Sequence, residues 1–329
     1  MLETNFIMYF DKNNNFYHGI MFHHFHDNGI HTKGQGSIDK DDFYKMINFI
    51  GRNNILDADV FYEKFKNNNL KDNEVCLSFD DAIKCQIDVA LPVLEELKIK
   101  SFFFVYSSLF EGKPDNLEFF RYFRINYFKS VDEFYDNFYK VLDKDLKSFF
   151  EKNSIKIKET KIKLPHYSIS DIKFRLVRDV FLTKVQYEDT MFSVFKEKQF
   201  NHKEYSKKLF FQKNDLQTLD NLGHIVGLHS HNHPTLLEKL SYDEQKNEYE
   251  KNLSLISSIL DKPKNEIKCM SHPCGSYNAD TLEILKELGI ELGFKQIMSI
   301  EPEKGMKKIN NSFLEIARQD HADIFKRMN

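Results

Sequence analysis

Two short apolar runs with one helical stretch between them constrain the fold of this chain more than any other feature. Val75-Cys76-Leu77-Ser78-Phe79 and Ser101-Phe102-Phe103-Phe104-Val105 are apolar and β-prone, and Ile87, Leu91, Leu94 and Leu97 recur at helical spacing across the segment Ile83 to Leu97 between them. Strand, helix and strand in that order imply parallel pairing with a right-handed crossover. The rhythm recurs on both sides. Gly19-Ile20-Met21-Phe22 reads as an earlier strand, followed by a polar loop over 27–36 and a helix from about Asp39 to Arg52. Further on, a helix through Leu216 and Leu219 stops at Gly223, and Ile225-Val226-Gly227-Leu228 is a strand. Ser241-Tyr242-Asp243-Glu244 is a capping box that opens a helix reaching about Leu260. Ile267 to Met270 is another strand, and Asp280 to Leu288 another helix, ended by Gly289. The prediction is an α/β fold contributed by residues 1–108 and 209–329. Between them, over 109–208, aromatic residues such as Phe119, Tyr122, Phe123, Phe134, Phe138 and Tyr139 recur at helical spacing among charges, which predicts an inserted helical lobe. Its aromatic residues read as the core of amphipathic helices, with a substrate-gripping lobe or a partner surface as the alternatives.

At 329 residues, 41% hydrophobic and 29% charged, the chain can bury one large core or two smaller ones. A formal net charge of −3 gives no electrostatic reason to expect nucleic acid, although lysines are abundant from Lys140 to Lys208. No run approaches the ~18 apolar residues that span a bilayer. The segment Met1-Leu2-Glu3-Thr4-Asn5-Phe6-Ile7 lacks the charged and apolar regions of an export signal, so a cytoplasmic protein is expected. Cys76, Cys85, Cys269 and Cys274 form no CxxC pair, and free, buried thiols are the expected state.

Chemistry concentrates at the predicted strand ends. His229 and His233 lie four apart directly after a strand and can face one point if the chain turns. Pro234 disfavours the α-region at His233, so that turn should be short. Two neutral imidazoles and a carboxylate leave open positions on a divalent ion, as a catalytic zinc site requires. A solvated histidine-rich turn is the competing reading. Asp80 and Asp81 follow another strand, and adjacent carboxylates there point in different directions. One could ligate a metal while the other takes a proton from an acidified water; either could instead cap a helix.

With these segments in hand, the chain resembles the polysaccharide deacetylases, the NodB-like carbohydrate esterases. Leu77-Ser78-Phe79-Asp80-Asp81-Ala82, with its flanks Ala90 to Leu94 and Ile99 to Val105, is similar to their first motif. Asn221 to Pro234 is similar to the second, and Met270-Ser271-His272-Pro273-Cys274-Gly275-Ser276-Tyr277-Asn278 to the third. The resemblance implies a distorted (β/α)7 TIM-like barrel of the NodB type carrying the inserted lobe. It implies Asp80 as catalytic base, Asp81, His229 and His233 as ligands of one divalent ion, usually Zn2+, and the backbone N–H of Cys274 as oxyanion donor. His231 is expected to point away from the metal.

This sequence departs from the family pattern at several places. Ser271 stands where many members have the arginine that holds the base, and His272 and Cys274 replace aromatic residues. The usual late Leu-x-x-His segment is not evident. Met21-Phe22-His23-His24 instead resembles an early strand end found in circularly rearranged members, which implies His23 as general acid; packing at a strand end is its alternative, and His24, His26 and His321 are lesser contenders. Glu315-Ile316-Ala317-Arg318-Gln319-Asp320-His321 resembles a closing segment of relatives from surface-glycan gene clusters. His24, His272, Arg318, Asp320 and His321 are therefore candidates to contact substrate, with a surface position the alternative for Arg318 and Asp320. His166 and His202, in the insert, are not expected to be ligands. The expected activity is N-deacetylation of an amino sugar in a nucleotide-linked or lipid-linked intermediate. Its rivals are a non-catalytic glycan-binding protein on the same barrel and a hydrolase of another C–N amide bond.

Overall fold

The computed structural model describes residues 16–163 and 167–328, so the segment 1–7 and His166 lie outside the described residues. The chain divides into two compact units, Met1–Asp115 with Lys207–Asn329, and Asn116–Ser206.

The first unit is a barrel of seven parallel strands. They are β1 (His18–Phe22), β2 (Val75–Asp80), β3 (Phe102–Val105), β4 (Ile225–Leu228), β5 (Cys269–Ser271), β6 (Leu292–Phe294) and β7 (Arg318–Asp320). They pair in the order β6-β5-β4-β3-β2-β1-β7, and a parallel bridge from Phe294 to Ile316, just before β7, brings the two edges together. The barrel is therefore nearly closed. Five of the seven strands, β1 to β5, fall on the apolar runs recognised in the sequence; β6 and β7 do not.

Alternation along the strands sets what faces inward. Cys76, Phe102, Phe104, Cys269, Leu292, Phe294 and Ile316 form one buried cluster, plugged from below by Ala58 and Phe61 of the helix Ala58–Lys66. On the opposite faces Phe22 and Phe79 stack on each other and meet Phe43 of the helix Lys40–Ile50. The two-residue period that turns Cys76 inward also turns Ser78 and Asp80 inward. The segment after β2 is a π-helix, Gln86–Ala90, continued by an α-helix, Leu91–Glu96, rather than one regular helix. Its extra residue per turn accompanies an amide, Gln86, that reaches back to the carbonyls of Asp80 (2.6 Å) and His23 (3.0 Å) and ties two strand ends together. The four cysteines are free; Cys76, Cys85 and Cys269 are buried as expected, whereas Cys274 is exposed.

The second unit is helical: Asn116–Asn126, Val131–Leu142, Lys147–Lys152, Ser154–Lys163, Ile169–Leu176 and Lys184–Glu197. Its aromatic residues form its core. Phe123 packs edge-on against Phe195 at 4.5 Å, and Phe174 meets Phe134, Tyr135 and Phe138. His202 packs against Phe119 and Phe192, and burial lowers its pKa. No described helix is long and apolar enough to cross a membrane.

Candidate active site

The C-terminal ends of β2 and β4 bring the expected ligands together. Oδ1 of Asp81 lies 3.2 Å from Nε2 of His229 and 3.2 Å from Nε2 of His233. One ligand atom from each of the three residues lies within 4.8 Å of the others. The backbone is strained to achieve this. Asp81, Ala82, Ser230 and His233 all have positive φ, between 52° and 73°, as does Cys274 beside them. Non-glycine residues adopt that region at a cost, and such positions cluster where a site over-determines the chain. His229 and His233 are thus brought to one point by a turn with left-handed Ser230 and His233, not by a turn of helix; the Ser230 hydroxyl accepts from the His233 N–H at 3.1 Å.

The hydrogen bonds behind the imidazoles fix their tautomers. Nδ1 of His229 donates to the Ser271 carbonyl at 2.9 Å, and Nδ1 of His233 donates to Oδ2 of Asp115 at 3.1 Å. A carbonyl and a carboxylate only accept, so both protons sit on Nδ1 and both neutral rings turn bare Nε2 lone pairs toward Oδ1 of Asp81. That oxygen is buried without a hydrogen bond. Three lone pairs aimed at one point suit a divalent cation of the zinc type, and the donor set fits it. Burial opposes charge on His233, but Asp81 and the bond to Asp115 hold its pKa well above the ordinary value. Burial would likewise raise Asp81, yet His233 and His229 hold it well below the carboxylate range.

Asp80 is 2% exposed and turned into the barrel, and Arg318 grips it with both ends of its guanidinium: Nη1 to Oδ1 at 2.7 Å and Nη2 to Oδ2 at 2.7 Å. Nε of Arg318 donates to the Lys295 carbonyl at 2.9 Å. Burial alone would push the Asp80 carboxyl up; Arg318, with His229 next, brings it below its ordinary value. Where Ser271 stands in place of the family's arginine, an arginine from another strand pairs with Asp80. The arginine comes from β7, and Ser271 itself donates to Oδ1 of Asp80 at 3.3 Å while its Oγ stands 2.7 Å from Nδ1 of His229. Gly19 makes room for this. It pairs with Arg318 across β1 and β7, and a Cβ there would sit 2.9 Å from Cγ of Arg318.

Arg318 is thus buried in the barrel and committed to Asp80. Two further candidates are revised for similar reasons. His272 is buried, donates Nε2–H to the Leu314 carbonyl at 2.9 Å and stacks on Tyr277 at 4.1 Å. His321 is buried on Phe22, its ring nitrogens facing the carbonyls of Gly36 (2.8 Å) and Met21 (3.2 Å). Both fill structure. Asp320 accepts from the Ala322 N–H at 2.8 Å and opens the helix His321–Met328, with its side chain partly exposed. His23 is partly exposed just past β1, its Nε2 3.8 Å from Oδ2 of Asp81 and its ring stacked near that of half-buried His24. His26 turns elsewhere, with Nδ1 3.0 Å from the Ser37 hydroxyl. His231 bonds Ser107 at 2.9 Å, away from the ligand cluster. Cys274 and Gly275 both have positive φ just past β5, and the Cys274 side chain adds a little to raising the pKa of His233.

Sequence reasoning missed Asp115, Glu248 and Asn252. Oδ1 of Asn252 accepts from the His229 N–H at 3.0 Å, and Oε2 of Glu248 from the N–H groups of His231 (3.0 Å) and Asn232 (2.7 Å). Both come from the helix Tyr242–Leu260, where Gln245, Glu248 and Asn252 form a buried polar stripe at helical spacing. That stripe was a usable signal; Asp115, alone in a loop, offered none.

A family model described as polysaccharide deacetylase matches residues 180–293, which include the β4 and β5 ends but not Asp80, Asp81 or Arg318. No curated protein matches the sequence. Among solved structures, the Streptococcus pyogenes deacetylase PplD superposes with a TM-score of 0.54 at 15% identity, covering 92% of this chain and 91% of that one. A de-N-acetylase from Aggregatibacter actinomycetemcomitans gives 0.53 at 12% identity, covering 95% and 99%. IcaB from Ammonifex degensii gives 0.50 at 11% identity, covering 93% and 91%.

Proposed function

We propose that this chain, which carries a polysaccharide deacetylase region on a barrel shared with such enzymes, is a metal-dependent carbohydrate N-deacetylase. Its substrate on this reading is an amino sugar in a cytoplasmic intermediate of surface-glycan assembly, nucleotide-linked or lipid-linked, and the group removed is acetyl. The observation that carries the reading is the pairing of two unlike carboxylates on adjacent residues. Asp81 faces two imidazole lone pairs, and Asp80 is held ionised by Arg318. Separation of environment is what lets neighbouring acids take different roles. That a fold neighbour is a de-N-acetylase also supports N-acyl chemistry.

Asp81, His229 and His233 would hold the ion. Once bound, a divalent ion supplies Lewis acidity, polarising the acyl oxygen and acidifying a water. Asp80 would take the proton from the attacking water as the water oxygen adds to the acyl carbon. Ser271, bonded to Asp80 and His229 together, keeps base and ligand in one orientation. The Cys274 backbone N–H is the donor assigned to the oxyanion. His23, on the exposed side of Asp81, then gives a proton to the sugar nitrogen as the C–N bond breaks, releasing acetate and a free amine.

Metal analysis of the purified protein, followed by acetate release from a panel of nucleotide-linked and lipid-linked N-acetylated amino sugars, tests the reading. It expects about one divalent ion per chain, turnover on some member of the panel, and an Asp80→Asn protein that keeps the ion and loses turnover. A folded, metal-loaded protein that releases acetate from none of them would exclude it. His23→Ala should lower kcat by about two to four orders of magnitude on the amide. The loss should be much smaller on an aryl acetate, whose leaving group needs no proton; equal losses would remove His23 from the acid role.

A further inference from the structure

In the helical unit the segment Ser154–Lys163 is apolar on two opposite sides. Ile157 faces inward and packs with Ile172 and Leu176. Ile155 and Ile162, seven residues apart and so on one face, are 71% and 79% exposed, more than any other large hydrophobic residue among those described. Lys156 and Lys158 of the same helix are exposed as well, as is Lys152 at the end of the helix before it. From 152 to 163 the sequence has five lysines against one glutamate. The charge is partitioned between the units. Residues 116–206 carry 18 Lys and Arg against 14 Asp and Glu, net +4, whereas the remainder carries 29 against 36, net −7. Val180, Phe181 and Val185 add exposed apolar surface in the same unit, and Phe181 packs against Phe149 at 5.0 Å.

We propose that the face of the helix Ser154–Lys163 bearing Ile155 and Ile162 is a docking surface for an anionic lipid bilayer. Exposed isoleucines flanked by lysines suit an anionic interface, where the aliphatic side chains enter the acyl boundary while the ammonium groups stay among phosphates. The competing occupants fit less well. Isoleucine neither stacks on sugar rings nor bonds hydroxyls, so a glycan leaves the stripe unused, and nucleic acid gains nothing from it. Two isoleucines with Lys158 and Glu159 between them are too narrow for a protein groove, which reads apolar anchors at each successive turn. That the substrate is itself membrane-borne rests on the functional reading above; the lipid contact does not.

Co-sedimentation of the full chain with vesicles tests this, using phosphatidylcholine alone and phosphatidylcholine with about one-third phosphatidylglycerol. Binding is expected only to the anionic vesicles, with a steep loss as salt rises. Ile155→Ser/Ile162→Ser should weaken it by about tenfold or more. Each Lys→Gln at 152, 156 and 158 should cost about fivefold. Unchanged far-ultraviolet circular dichroism in all variants checks that they are folded. Failure of wild type to bind anionic vesicles overturns the proposal, as does binding that survives both sets of substitutions. A dimer in light scattering that the Ile155→Ser/Ile162→Ser variant abolishes, without vesicle binding, would assign the face to a second copy instead. Vesicle binding by a protein that deacetylates nothing would leave this inference standing and remove the functional one.

Discussion

At the scale of single residues, the site is governed by what stands behind each reacting group. The Arg318–Asp80 pair is buried and bidentate, and removing one partner of such a pair strands a charge in low dielectric, at a cost of about 3–5 kcal/mol. Arg318→Leu should therefore destabilise the protein by that order in urea unfolding. The double change Arg318→Leu/Asp80→Asn should recover most of the loss while remaining inactive. If it recovered none, Arg318 would be acting through its packing and not through Asp80. Asp115 makes a separate prediction. A carboxylate behind a ligating histidine orients the ring and strengthens it as a donor, and losing it typically weakens metal binding by about 10–100-fold. Asp115→Asn keeps the shape and loses the charge, so the dissociation constant measured by competition with a chelator should rise by that factor. His229, backed by neutral Ser271, has no comparable charge to lose. An unchanged constant would mean that Asp115 only packs.

Whole elements explain why the sequence was readable in some places and opaque in others. Strands β1 to β5 announce themselves because each is an apolar run, four of them with chemistry at or just past their ends; burial on both faces leaves no other reading for Val75 to Phe79 or Ser101 to Val105. Strand β7 hides because its three residues, Arg-Gln-Asp, are polar, and only the distant Asp80 makes burying its arginine tolerable. Hydrophobic pattern cannot register a strand whose partner charge lies 238 positions away. The same limit applies to Arg318, His272 and His321, whose residue types suit a ligand and equally suit the buried carbonyls that they face here. Strand entrances carry their own consequence for acid stability. Nδ1 of His224, just before β4, accepts the Ser101 N–H at 3.0 Å, which requires the neutral ring. Burial, with Lys100 adding to it, lowers its pKa to about 4; burial likewise lowers His18 to about 4 and His272 to about 3. Below the ordinary value of 6.5 the unfolded chain binds protons that the folded one refuses, so stability falls as pH drops from 6.5 toward 4. Each such histidine contributes a slope of about 1.4 kcal/mol per pH unit inside that window. His224→Asn should flatten urea-derived stability between pH 6 and 5 by about that amount; an unchanged slope would show that the acid sensitivity lies elsewhere.

For the whole molecule, the division into two units decides how far the influence of a cation bound at the proposed ligands would extend. The proposed ligands come from the ends of β2 and β4, strands in the barrel unit separated in sequence by the entire helical unit. A cation held there ties two distant parts of one core together and binds the folded barrel but not the unfolded chain. At a free concentration of about one hundred times its dissociation constant, it adds about 2.7 kcal/mol to the barrel. For a unit of that size this corresponds to roughly 5–10 °C in Tm. The helical unit has its own aromatic core and contributes none of the three ligands, so its melting should not respond. Calorimetry with and without a chelator should therefore resolve one transition that moves and one that does not. Asp81→Ala should melt at the chelated position whether or not metal is added. If both transitions moved together, the units would be folding as one cooperative body; if neither moved, the three residues would not be holding a cation in the native state.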